Sequence, residues 1–303
     1  MSSDQVQHTP VLTREVIEWL DPRPGQTIVD GTFGGGGHTG ELLKRVAPGG
    51  RLIAFDRDPE AVDRAEALFA HQNVTIVHGD FADVARIVRE LGAGPVDGIL
   101  LDLGWSAFQL ADAERGFSFD IDGPLDLRYD PTLGEPAWRM LERLSAEHLA
   151  DVIYHYGEER LSRRIARAIV ERRVQRQPVR SARELAEVVR RAVPKTYGGS
   201  GGRIDPATRT FQALRIAVNG ELESLETALK CAPDALREGG RIAVISFHSL
   251  EDRRVKQAFR DDCRYEVLTR RPVQASEAEQ QTNPQSRSAK LRVARRSGEL
   301  RCD

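Results

Sequence analysis

Over the first hundred positions, short apolar runs alternate with stretches of helical periodicity. The runs at residues 27–30, 51–55, 74–78 and 96–101 are apolar almost throughout rather than at every second position. That is the pattern of strands covered on both faces. Between them, residues 40–46, 59–69 and 83–91 carry apolar positions at helical spacing, and Pro59 stands at a helix start, where its missing N–H costs nothing. The alternation predicts a parallel sheet with helices on both sides. After Asp102 the rhythm stops. Residues 104–130 read as loop, two amphipathic helical patterns come next at 145–175 (interrupted near Tyr156-Gly157) and 181–191, and a further helix covers 208–229. Tyr197-Gly198-Gly199-Ser200-Gly201-Gly202 is a short flexible tract by composition. Strand character resumes at 241–246, with two more candidates at 265–269 and 291–294. The expected fold class is therefore α/β: a Rossmann-like sheet formed by residues 1–104 and 216–303, with residues 105–215 inserted as a helical domain.

Composition changes this picture little. No apolar run approaches the roughly 20 residues that span a bilayer, and Met1-Ser2-Ser3-Asp4-Gln5 lacks the basic and apolar regions of a secretion signal. Cys231, Cys263 and Cys302 are far apart and form no metal-ligand pattern. Reduced cysteines, no metal site and a cytoplasmic location are the expectation. Charge is more informative locally than in total. The net charge is −2, yet residues 160–191 hold eleven arginines against three glutamates. A solvated helix face and a phosphate-contacting surface both explain such a run. A second basic cluster comprises Arg287, Lys290, Arg292, Arg295 and Arg296, and two clusters point toward an RNA-facing surface.

The candidate chemistry starts between the first strand and its helix, at Asp30-Gly31-Thr32-Phe33-Gly34-Gly35-Gly36-Gly37-His38-Thr39-Gly40. Glycines there let a ligand approach bare backbone. The spacing, with Asp56 beyond the second strand as a ribose-binding acid, is shared by NAD enzymes and S-adenosylmethionine (SAM) methyltransferases. The end of the fourth strand favours SAM. Leu101-Asp102-Leu103-Gly104-Trp105-Ser106 delivers polar groups to the carboxyl-end crevice, and the insertion comes directly after it. Asp30, Asp56 and Asp102 could each merely cap a helix or turn, but all three end strands whose carboxyl ends share one edge of the sheet.

At these residues the chain resembles the bacterial 16S rRNA (cytosine-N4)-methyltransferase family, within the class I SAM-dependent methyltransferases. Besides the glycine loop, the matching segments include Phe55-Asp56-Arg57-Asp58-Pro59, Arg115-Gly116-Phe117-Ser118-Phe119, Tyr156-Gly157-Glu158-Glu159-Arg160 and Phe247-His248-Ser249-Leu250-Glu251-Asp252-Arg253. Together with His8-Thr9-Pro10 and Ser288-Ala289-Lys290-Leu291-Arg292 they cover nearly the whole chain. The resemblance implies a Rossmann-type methyltransferase that modifies the exocyclic N4 of a cytidine in the decoding region of small-subunit rRNA, with an inserted substrate-recognition domain. It assigns SAM contacts to Gly36, Gly37, His38, Asp56, Phe81, Asp102 and Gln109. Phe81 would pack on adenine, or be an ordinary core aromatic. The partner implied is 16S rRNA within the small ribosomal subunit; the oligomeric state is left open, a homodimer included. Trp105-Ser106-Ala107-Phe108-Gln109-Leu110 departs from the family's usual Val-Ser-Ser-Pro-Gln-Leu, beside the acceptor pocket.

Cytosine N4 is a poor nucleophile because its lone pair is delocalised into the ring, so an acceptor for the amino proton is needed. Asp102 is the first candidate, with Ser106 and His248 as neighbours, although Asp102 could serve only the cofactor and His248 only the structure. Trp105, Phe108, Phe117 and Phe119 offer surfaces for stacking an extruded base, or for packing the insertion. Arg160, Arg163, Arg164, Arg167, Arg172 and Arg173 are the candidate contacts to the rRNA backbone.

Overall fold

The computed structural model describes residues 10–194 and 205–298. The glycine-rich tract from Tyr197 to Gly202 lies outside the described residues. In chain order the elements begin α1 (Thr13–Leu20), β1 (Thr27–Asp30), α2 (Gly37–Val46), β2 (Arg51–Asp56), α3 (Pro59–Phe69), β3 (Val74–His78), α4 (Val84–Glu90) and β4 (Val96–Asp102). Helices α5 (Ala107–Ala111), α6 (Ala137–Arg143), α7 (Ala146–Gly157), α8 (Ser162–Val174), α9 (Ala182–Ala192), α10 (Thr208–Asn219) and α11 (Glu221–Ala235) come next. The chain then returns to β5 (Leu236–Ser246), α12 (Ser249–Asp261), β6 (Tyr265–Val267), α13 (Glu277–Thr282) and β7 (Lys290–Arg296). None of the described helices is long and apolar enough to cross a membrane.

The chain divides into two compact units, residues 1–106 with 222–303, and residues 107–221. The first holds a seven-stranded sheet in the order β3-β2-β1-β4-β5-β7-β6. Strands β1 to β5 run parallel, and β7 lies antiparallel to both of its neighbours. Strand pleating sorts its side chains into two cores. Val29, Ile53, Ile99, Leu101, Ile242 and Val244 face α4, α11 and α12. Ile28, Leu52, Leu100, Ala243 and Ile245 face α1 and α2. Successive residues point to opposite faces, so a run that is apolar throughout fills both layers. The strand order reverses between β1 and β4, and ligands of open α/β sheets bind outside the carboxyl ends at such a switch point.

Local sequence explains most boundaries. Asp58 caps α3 by accepting the Glu60 N–H at 3.1 Å, with Pro59 as the first helical residue. The expected helix over 208–229 is two helices, because Gly220 takes a left-handed φ of 60° and ends α10. Cys263 is disulfide-bonded, contrary to the reduced state expected from cysteine spacing.

The second unit has its own core, in which Leu125, Leu141, Leu149, Ile153, Ile165, Ile169, Leu185, Val189 and Leu214 are buried. Arg115-Gly116-Phe117 organises its non-helical entry. The buried Arg115 donates to the carbonyls of Arg128 and Tyr129 at 3.2 and 3.1 Å, and Phe117 stacks on Tyr129 at 5.8 Å. Asn219, also buried, donates to the Leu127 carbonyl and accepts the Tyr129 N–H, each at 2.7 Å. Phe119 packs edge-on against Phe211. Phe117 and Phe119, both partly buried, therefore pack against this core, the second of the two readings their sequence allowed.

Candidate active site

Three acidic strand ends converge on the switch point. Asp30 ends β1 fully buried, its carboxylate accepting the Thr39 hydroxyl at 2.7 Å and the Thr32 N–H at 3.2 Å. Burial pushes the Asp30 carboxyl up to about 6, with His38 and the two hydrogen bonds pulling against it. Asp102, at the end of β4, lies 3.5 Å from His38 Nε2 through Oδ2, while its own N–H donates to Thr32 Oγ1 at 2.7 Å. At that separation the His38–Asp102 contact is an ion pair rather than a hydrogen bond. Burial alone would lower the His38 pKa, but the adjoining Asp102 and Asp30 carboxylates outweigh it and hold it above its ordinary value. Asp102 Oδ1 and His38 Nε2 are both buried without a hydrogen-bond partner among the described residues. Leaving such atoms unmade is costly, so they mark where a ligand's polar groups would dock.

The raised Asp30 pKa has a measurable consequence. Its folded value lies above the unfolded 3.8, so its contribution to stability is fully present below pH 3.8 and is lost as pH rises through about 6. A displacement of that size is worth on the order of 3 kcal/mol. The Asp30→Asn variant is expected to lack this slope. Unfolding free energies of variant and parent compared from pH 4 to 6.5 should diverge steadily, and parallel profiles would contradict the assignment.

The glycine loop supplies bare backbone beside these acids. Gly36 takes a φ of 77° at the start of α2, and a Cβ there would stand 2.7 Å from the Phe33 ring; one on Gly37 would stand 2.9 Å from Pro10. No side chain caps α2 and its first turn has no acid, so its N–H groups are available to an anionic group such as a carboxylate. Asp56 accepts the Gly34 N–H at 2.7 Å and the Asp58 N–H at 2.9 Å, which fixes the loop against β2. Burial raises its carboxyl to about 6 as well. Phe81 comes just after β3, half-buried and packed on the main core. It is anchored by Asp80, which caps the turn through Ala82 and accepts the Ser224 hydroxyl at 2.7 Å.

Beyond Asp102, Gly104 turns at a φ of 105° and Trp105 is 41% exposed. Ser106 lies over the glycine loop, its Cβ 3.5 Å from where a Cβ on Gly34 would be. His248 has a structural task. It is the N-cap of α12, its Nδ1 accepting the Glu251 N–H at 3.4 Å while Glu251 accepts the Phe247 N–H at 2.8 Å. With Nδ1 accepting, a neutral ring carries its proton on Nε2, which is 3.1 Å from Glu251 Oε1. His248 thus caps α12, while its Nε2 is buried without a hydrogen-bond partner among the described residues. Gln109 is buried on α5, in the second unit, and Phe108 is half-buried beside it.

The six candidate arginines also sort. Arg173 donates to the carbonyls of Leu141, Glu142 and Leu144 at 2.6 to 3.0 Å and so closes the end of α6. Arg172 donates to the Gln177 carbonyl at 3.1 Å and stands 4.0 Å from Glu184. Both serve the fold. Arg160, Arg163, Arg164 and Arg167 are exposed, and their guanidinium groups have no ion pair or hydrogen bond among the described residues. The second basic cluster is spoken for: Lys290 and Arg292 pair with Asp252, Arg295 with Glu266, and Arg296 donates to the Leu236 carbonyl. Arg287 donates to the Gln280 carbonyl. These contacts tie that cluster to the fold.

Sequence reading missed Thr32 and Thr39, the hydroxyls that hold Asp102 and Asp30. Their position in the turn after the first acid was the available signal.

Comparison with known proteins agrees with this geometry. Residues 5–297 match the model of the MraW methylase family. Three relatives named ribosomal RNA small subunit methyltransferase H are similar over almost their full lengths. The protein from Sorangium cellulosum is 50% identical, over 96% of this chain and 91% of its own. That from Rhodopirellula baltica is 48% identical over 97% and 93%, and that from Deinococcus deserti 50% over 97% and 95%. A parallel sheet with one antiparallel strand, a glycine turn and acids at its switch point, matched from end to end by these relatives, makes the chain a member of the MraW methylase family.

Proposed function

We propose that the protein transfers the methyl group of SAM to the exocyclic N4 of a cytidine in the decoding region of 16S rRNA, within the small ribosomal subunit and in the cytoplasm. The observation that carries the chemistry is the buried, unpartnered Oδ1 of Asp102, held beside His38 at the carboxyl end of β4. The site's residues fit SAM: bare glycine backbone, uncapped N–H groups on α2, acids at the ends of β1, β2 and β4, and an anchored aromatic after β3. Gly36, Gly37 and His38 would lie along its methionine part, Asp56 by the ribose and Phe81 by the adenine. SAM supplies a methyl already activated on a sulfonium, so the protein's work is alignment, exclusion of water and proton removal.

Asp102 performs the last of these. Its Oδ1 accepts a hydrogen bond from the N4 amino group, localises the nitrogen lone pair and takes the proton as the new C–N bond forms. His38 holds the other oxygen, so that the carboxylate stays oriented. Ser106 and the exposed Trp105 border the same opening and contact the base. The exposed arginines of α8 hold the rRNA backbone. Arg163 and Arg164 lie in its first turn, where cations oppose the helix dipole and no acid offsets them. Charges placed against helix stability are better explained by a polyanionic partner than by the fold.

The direct test supplies methyl-labelled SAM and small ribosomal subunits from cells lacking the modification, then identifies the labelled nucleoside by mass spectrometry. N4-methylated cytidine is the expected product. Label in another nucleoside or in ribosomal protein, or none despite measured SAM binding, would refute the proposal.

A further inference from the structure

Four arginines on one stretch of chain are a surface, but two of them also line a site. A depression of about 210 Å³ opens between Arg164, Arg167, Ala168 and Glu171 of α8 and Ala192 at the end of α9. The alanines keep it open, and the two guanidinium groups, one turn apart on the same face, line it together. Neither is engaged elsewhere among the described residues. Their neighbours in the same arginine-rich stretch are: Arg180 pairs with Glu142, Arg183 with Asp122, Arg190 with Asp205 and Arg191 with Glu187. Arg167 and Glu171 stand at the i, i+4 spacing that usually closes an ion pair on a helix, and no such pair is formed. A merely solvated face would need neither the depression nor the missed pairing.

From this geometry we infer that the depression binds one phosphodiester of the RNA backbone, an inference that rests on the rRNA-substrate reading above. Two guanidinium charges against the single carboxylate of Glu171 leave one net positive charge. That complements the single negative charge of a phosphodiester and disfavours the dianion of a free or terminal phosphate. Guanidinium forks suit the geometry of phosphate oxygens. Arg160 and Arg163, outside the depression, contribute field rather than a defined contact.

The experiment measures binding of small ribosomal subunits lacking the modification, across a monovalent salt series at fixed magnesium, to the parent protein, the Arg164→Ala/Arg167→Ala variant and Glu171→Gln. The double variant is expected to lose on the order of tenfold in affinity at low salt, with a log–log salt slope shallower by roughly 1, the share of one phosphate contact. Its thermal midpoint should not fall below the parent's, since neither guanidinium holds the fold together and Arg164 opposes the dipole of α8. Glu171→Gln should bind more tightly. Unchanged affinity and slope in the double variant, beside salt-dependent binding by the parent, would overturn the site while leaving the substrate reading intact. So would lost affinity at an unchanged slope. A parent that binds SAM but shows no salt-dependent binding of subunits would sink the substrate reading, and this inference with it.

Discussion

Replacing Asp102 by Asn should lower the rate of methyl transfer by roughly 10²–10⁴-fold, the range associated with losing a positioned general base. One atom carries the effect. An amide keeps the size and much of the polarity of the carboxylate, so the turn anchored by Thr32 Oγ1 persists, but it cannot take up a proton near neutral pH. It also removes the carboxylate charge that, with Asp30, raises the His38 pKa. The informative comparison is therefore between turnover and SAM affinity. Loss of kcat with SAM affinity within a few-fold of the parent would place Asp102 on the amino group. Loss of SAM binding in parallel would assign the residue to the cofactor and leave the proton acceptor to be sought elsewhere. A variant of undiminished kcat would remove Asp102 from the mechanism altogether.

The second large effect lies in the insertion. Gly116 adopts a φ of 67°, and a Cβ there would stand 2.2 Å from the Pro124 carbonyl oxygen, with Asp126 N and Leu125 Cα each at 3.2 Å. All three obstacles are backbone, so no side-chain rotation relieves them. Gly116→Val adds a β-branched side chain to a left-handed conformation, and the combined strain and overpacking should cost roughly 2–5 kcal/mol. Against a net domain stability of about 5–15 kcal/mol this is a large fraction. The expected signature is a thermal midpoint lower by roughly 10 °C or more, with hydrogen exchange accelerated around Leu127 and Tyr129. SAM affinity should change little, because the first unit is built on its own cores. A melting curve that coincides with the parent's would show that the tight turn is not what holds this segment.

Those two positions also indicate what was legible in the sequence. Strands β1 to β4 could be read because a doubly covered strand leaves an uninterrupted apolar run and ends in a polar residue. The glycine loop and its acids were visible for the same reason: bare backbone and charge at a strand end have few other uses. The role of Gly116 was not visible, since the specificity of Arg115-Gly116-Phe117 arises from contacts with Pro124, Tyr129 and Arg128 that no local pattern announces. Helix α1 went unread because only eight residues carry its periodicity, and α12 because His248 was read for its chemistry and not as a cap. The arginines show the limit most plainly. Arg167 and Arg173 are alike in sequence context, but one faces solvent and the other binds three carbonyls. Only the path of α6 distinguishes them.

The placement of the insertion bears on the order in which the protein completes itself. Strand β4 pairs with β1 on one side and with β5 on the other, and between β4 and β5 the chain makes the whole of residues 107–221. When Glu221 leaves the ribosome, the inserted unit already holds every segment of its core, whereas β4 still presents an open edge. Closing that edge brings together strands more than a hundred residues apart, a loop whose entropic cost is reduced once the intervening segment has become compact. The inserted unit is thus the first to have all its parts during synthesis, and the sheet waits for it.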